Sequence, residues 1–110
     1  MLMKPSEFKT FLEQTGIQVF YNHTTTEDVV EYPFIVFLDN RWDALYADDI
    51  TYYESVPYLV ILHTLERDLE LEQRIKDLFT ENKIAYSLND IDWNREYLFW
   101  QVSFNVEIMR

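Results

Sequence analysis

The chain has 110 residues, of which 9 are Lys or Arg and 20 are Asp or Glu, for a formal net charge of −11. Its length suits one domain that buries about two thirds of its unfolded surface, and its charge excludes attraction to nucleic acid or anionic membrane driven by overall charge, which needs clustered Lys and Arg. Cysteine is absent, which excludes disulfides, thiol catalysis and cysteine-ligated zinc.

The start of the chain runs straight into a charged, amphipathic stretch, so no signal peptide is expected there. Pro5 suits a first helical turn, Glu7 faces the positive end of the helix dipole, and Phe8, Phe11, Leu12 and Thr15 share one face. Gly16, the only glycine, is the natural stop. Residues 17–21 alternate and read as a strand, and the threonine-rich residues 22–28 as a loop. Pro33 opens residues 34–38, which are apolar on both faces and so predict a central, well-covered strand.

Residues 39–51 lack a clean period and mix Trp42, Leu45 and Tyr46 with four aspartates. They predict a long excursion between strands, with a β-ribbon as one form it can take. Residues 52–64 resume as a strand in which Pro57 calls for a bulge or an edge position, because it cannot donate to a ladder. Neither apolar run, 34–38 or 56–62, approaches the roughly 18 residues a membrane span needs.

A second helix is predicted over 68–79. Leu71, Ile75, Leu78 and Phe79 form its apolar face, Glu70–Arg74 and Glu72–Lys76 are spaced as i,i+4 pairs, and Asn82 and Lys83 close it. Ile84, Tyr86 and Leu88 alternate as a short strand before a turn-rich 89–94. In the last strand Leu98, Trp100, Val102, Phe104, Val106 and Ile108 alternate with Phe99, Gln101, Ser103, Asn105 and Glu107. The order of elements gives an α+β fold: a mostly antiparallel sheet of four to five strands with two helices packed on one face.

Catalytic vocabulary is thin. His23 and His63 have no second His or Cys at metal-ligand spacing, and a solvated or hydrogen-bonded role is expected for each. One glycine leaves no phosphate-cradling loop. Asp48 with Asp49 and Asp90 with Asp92 are the carboxylate clusters, and neither follows the calcium-loop pattern; turn geometry explains them. The 8 Phe, 8 Tyr and 3 Trp are more rings than so small a core readily hides, and such residues are enriched at interfaces. Trp42, Tyr46, Asp48, Tyr52 and Tyr53, together with Trp93 and Phe99, are the candidate interface residues. No catalytic, cofactor-binding or metal-binding residue is assigned.

The order of several stretches resembles the tail-terminator, or tail-completion, proteins of long-tailed phages and prophages. These are Pro33, Phe34, Ile35, Val36 and Phe37; Tyr46, Ala47, Asp48 and Asp49 with Tyr52 after them; and Leu62, His63 and Thr64. The acid-opened second helix, the strand of Ile84, and Glu96 followed by Gln101, Val102, Ser103 and Phe104 complete the series. The chain departs from the family pattern at His63, where Tyr is usual, at Asp49, where Asn is usual, and at Pro57.

This resemblance implies a structural virion protein of the tail, assembled in the bacterial host cytoplasm. It implies no enzyme activity and no cofactor. The subunit would form a ring with copies of itself, six in number, between the tail-tube protein and the head–tail connector, with DNA passing through unbound and no membrane involved. The charge of −11 fits a lumen that repels phosphates. A monomeric acidic module that binds a peptide or a basic partner protein through residues 41–53 is the alternative. A carboxylate-using enzyme is the third reading, and it lacks a legible nucleophile and base.

Overall fold

The computed structural model describes residues 5–21, 32–39 and 55–109. They form α1 (Pro5–Leu12), β1 (Gln18–Tyr21), β2 (Phe34–Asp39), β3 (Ser55–Thr64), α2 (Leu69–Glu81), β4 (Ala85–Asn94) and β5 (Phe99–Met109). The five strands make one sheet in the order β1-β2-β3-β5-β4. Only β1 and β2 run parallel; the other three pairings are antiparallel. The α+β fold expected from the element order is therefore the fold observed.

Helix α1 ends through a 3-10 turn, Glu13–Thr15, onto Gly16, whose φ of 81° is the left-handed conformation that glycine adopts without strain. Phe8, Phe11, Leu12 and Thr15 are buried, as their spacing requires. Phe8 stacks on Tyr58 of β3 at 4.5 Å and meets Phe37 of β2 edge-on at 5.3 Å. Helix α2 docks beside it, with Phe79 6.4 Å from Phe11 and 6.4 Å from Phe104 of β5. Both helices thus cover one sheet face, built from Val19, Ile35, Phe37, Tyr58, Val60, Leu62, Val102, Phe104, Val106 and Ile108. Each of these is at most 3% exposed. Burying such side chains contributes roughly 1.5–3 kcal/mol apiece, so this layer supplies most of the driving force for folding.

Several details correct the expectations. Residues 89–94 are not a turn: β4 continues to Asn94, and a bulge between Leu88 and Asp90 takes Asn89 out of the pairing. The extra residue shifts the alternation by one, so Ile91 and Trp93 return to the helix-covered face while Asp90 and Asp92 share the other. The turn itself is the next four residues, 95–98. Leu98 belongs to that turn, at φ 58° and 60% exposed, and is not part of the buried face of β5.

The i,i+4 ion pairs expected on α2 do not form: Glu72 is taken by Arg67, and Arg74 donates to the Thr15 carbonyl oxygen at 3.3 Å. Helix α2 spans Leu69–Glu81, with Asp68 as its N-cap accepting from the Leu71 amide at 3.0 Å. Pro57 sits in register opposite Glu107 without a bulge. The pairing of β3 with β2 stops at Tyr58, so among the described residues Pro57 has a neighbour on one side only. That is the local edge a residue without an N–H tolerates.

Candidate interaction surface

Of the seven residues expected at an interface, Trp42, Tyr46, Asp48, Tyr52 and Tyr53 lie outside the described residues. Trp93 and Phe99 are both half-buried at one end of the sheet, on opposite faces. Trp93 pairs across the β4–β5 ladder with Trp100, ring centroids 5.2 Å apart. Phe99 lies on the face away from the helices, 5.9 Å from Tyr32 and 5.5 Å from His63. The two do not make one patch; they stand back to back across the start of β5.

His63 is the centre of an aromatic cluster on that second face. Its ring stacks on Phe34 at 4.4 Å and 6°, and Phe34 also meets Tyr32 at 5.2 Å and Phe20 at 6.1 Å. These contacts bury Phe34 although no described helix lies over it. The Gln101 amide nitrogen is 3.2 Å from His63 Nε2. With that amide donating, Nε2 accepts and the ring proton sits on Nδ1, a buried atom without a hydrogen-bond partner. Burial lowers the His63 pKa to about 4, outweighing the backbone of Ile61 and Phe34, which act to raise it. At neutral pH the ring is an uncharged aromatic plate, and its contact with Gln101 is the hydrogen-bonded form of the role expected for it.

Beyond His63 the same face turns polar. Asn89 Nδ2 donates to Ser103 Oγ at 3.2 Å, Asn105 Nδ2 donates to Asn89 Oδ1 at 3.1 Å, and the Ser103 hydroxyl reaches the Asp90 carbonyl at 3.4 Å. This face is divided: apolar and aromatic over β1–β2–β3, amide and carboxylate over β5–β4. Among the described residues no group of three or more His, Asp or Glu is placed to hold a metal ion.

At the end of the sheet where β2 and β5 start and β3 ends, the segment between β3 and α2 is anchored by Arg67. Its guanidinium makes two bonds to the Glu72 carboxylate, 2.6 and 3.1 Å, and lies 5.7 Å from the centre of the Trp100 ring. Glu72 is 4% exposed, so the pair is half inside the protein, and the Glu72 carboxylate raises the Arg67 pKa. Around this anchor the surface is apolar. Of seven exposed large hydrophobic residues among those described, five stand here: Tyr32, Leu65, Leu69, Tyr97 and Leu98. Tyr32, Pro33 and residues 64–70 line a groove of about 620 Å³. Tyr32, Leu65 and Leu69 were missed by sequence reasoning. The available signal was Leu65 and Leu69 flanking α2's start, off the stripe that the helix buries.

No family model matches the chain, and no curated protein matches it. What the surface can do therefore follows from its chemistry alone: among the described residues it offers apolar area, aromatic rings and carboxylates, a combination found where polypeptides meet.

Proposed function

We propose that the chain is a structural subunit of the tail-terminator type. On this reading it assembles as a ring of about six copies on the end of a phage tail tube and meets the head–tail connector. It uses no cofactor and performs no chemistry. The observation that carries the reading is the concentration of exposed Tyr32, Leu65, Leu69, Tyr97 and Leu98 at one end of the sheet. Exposed apolar patches of this kind mark sites of association.

Two further features support it. The sheet has different edges, the four-residue β1 and the ten-residue β4, and a closed ring needs two different surfaces that meet head to tail. The segment order described above resembles the family pattern over much of the chain, a likeness that rests on those segments alone. Electron microscopy of the protein mixed with tail tubes tests the proposal. Rings that cap tube ends support it; bare tube ends beside a protein that stays monomeric at every concentration sink it.

A further inference from the structure

We infer that the groove at the head of α2 docks a cationic polypeptide segment of a partner protein, one that carries a large apolar side chain between Lys or Arg residues. This inference does not depend on the ring: it gives Tyr32, Leu65 and Leu69 to a partner protein and leaves Tyr97 and Leu98, exposed at the same end of the sheet and outside the groove, to contacts between copies.

The argument is one of charge and shape. The groove floor is apolar: Tyr32 and Pro33 come from the approach to β2, Leu65 and Leu69 from the connection into α2. Leu65 and Leu69 are more than half exposed, 56% and 65%. Its rim carries Glu66, Asp68 and Glu70. Among the described residues the one cation on the groove wall is Arg67, whose guanidinium makes two bonds to Glu72. The Asp68 carboxylate accepts from the Leu71 amide at the head of α2 and lines the rim. What faces an incoming ligand is therefore a set of carboxylates around exposed leucines.

Each competing occupant meets a physical objection. A phosphate or other anion is attracted to a helix N-terminus, yet here three carboxylates surround it. A second copy of the same groove brings the same three carboxylates, and each copy carries a net charge of −11. Small molecules favour enclosed pockets, and this groove is bordered by side chains standing in solvent. A cationic segment satisfies both features: its apolar residue covers the leucines, and its Lys or Arg residues sit against the rim, where complementary charge raises the association rate and selects the partner.

The test uses a fluorescein-labelled twelve-residue peptide of leucines flanked by lysines, and its twin with glutamates in place of the lysines, each titrated into the full chain. Binding is read by anisotropy and by amide chemical shifts. The lysine peptide is expected to bind, to shift amides of Tyr32 and residues 65–70, and to weaken several-fold in the double variant Glu66→Gln, Glu70→Gln and in Leu69→Ser. Both changes lie at exposed positions, so an unchanged thermal unfolding curve shows the variants folded.

Equal binding of the glutamate peptide overturns the inference, as do shifts confined to other residues or affinity unaffected by the variants. An absence of binding overturns it too. Shifts at residues 65–70 that grow with protein concentration before any peptide is added point instead to a second copy, and also overturn it.

Discussion

Among the described residues, His63 is the side chain that most clearly makes stability depend on pH. Its folded pKa of about 4 lies below the usual 6.5, so between those values the unfolded chain binds more protons and stability rises with pH. The contribution is present in full above 6.5, falls as the pH drops, and is gone below 4. The whole shift corresponds to about 3 kcal/mol. His63→Phe keeps a ring to stack on Phe34 and removes the titration. Denaturant unfolding of parent and variant at pH 7 and pH 4.5 is expected to show a smaller acid loss in the variant; equal losses in the two proteins disprove this account.

Glu72 makes a second residue-scale case. It is 4% exposed and its charge is met by Arg67. Arg67→Ala strands that carboxylate and is expected to cost about 1–3 kcal/mol, the lower end reflecting the partial exposure of the arginine. Replacing both residues by Met should recover much of the loss, because the stranded charge goes with them. A double-mutant cycle from urea midpoints measures the coupling, and additive effects of the two single changes would falsify the pairing.

At the scale of elements, the helix ends allow sharper expectations. Asp68→Ala removes the bond to the Leu71 amide and should cost about 1 kcal/mol. Gly16→Ala meets no atom within 4 Å, so its cost is backbone strain alone, about 1 kcal/mol at φ 81°. Chemical denaturation reads both, and a loss near 3 kcal/mol for Gly16→Ala would mean a steric clash instead. Helix ends are legible where capping is local: Gly16 and Asn82 announce themselves in the sequence, whereas the predicted span 68–79 puts Asp68 inside the helix that it caps. Strand β5 was legible too, since its strict alternation needs no tertiary information. Strand β4 was legible only in its first half, through the alternation of Ile84, Tyr86 and Leu88, because the bulge at Asn89 changes which face the later residues take, and the asparagines and aspartates around it carry a turn composition. The α2 ion pairs failed for a related reason. Helical spacing says which partners are near, yet Arg67 reaches Glu72 from outside the helix.

For the whole molecule, charge and assembly pull against each other. Copies that each carry −11 repel as they gather, and salt screens that repulsion over about 10 Å at 0.1 M. Ring formation as proposed above is therefore expected to strengthen between about 50 and 300 mM salt, measured by sedimentation. Assembly that weakens instead would mean that attractive ion pairs hold the subunits together. Tyr97→Ala with Leu98→Ala should impair assembly at every salt concentration if the apolar end is the contact. The fold class was readable from the order of elements, while the parallel pairing of β1 with β2 was not, since neither strand names its neighbour. For the surface, composition flagged surplus aromatics and singled out Trp93 and Phe99. It could not say that they face apart, nor that leucines and Tyr32 would form the open groove.

The position of β3 in the sheet bears on how the chain reaches this structure. Strands β4 and β5 are joined by a four-residue turn, and α2 lies next to them in sequence; closing such short loops is fast. By contrast β3 joins β5 across the whole of α2 and β4, pairing Thr64 with Trp100 and Ser55 with Met109. Its ladder must wait for a long loop to close, and distant pairings of this sort slow folding. Until β3 arrives, the inner edge of β5 lies open along its length, an unpaired strand able to accept a strand from another chain. The chain is thus most exposed to wrong assembly during synthesis, and substitutions that delay β3 should appear first as lost yield of soluble protein.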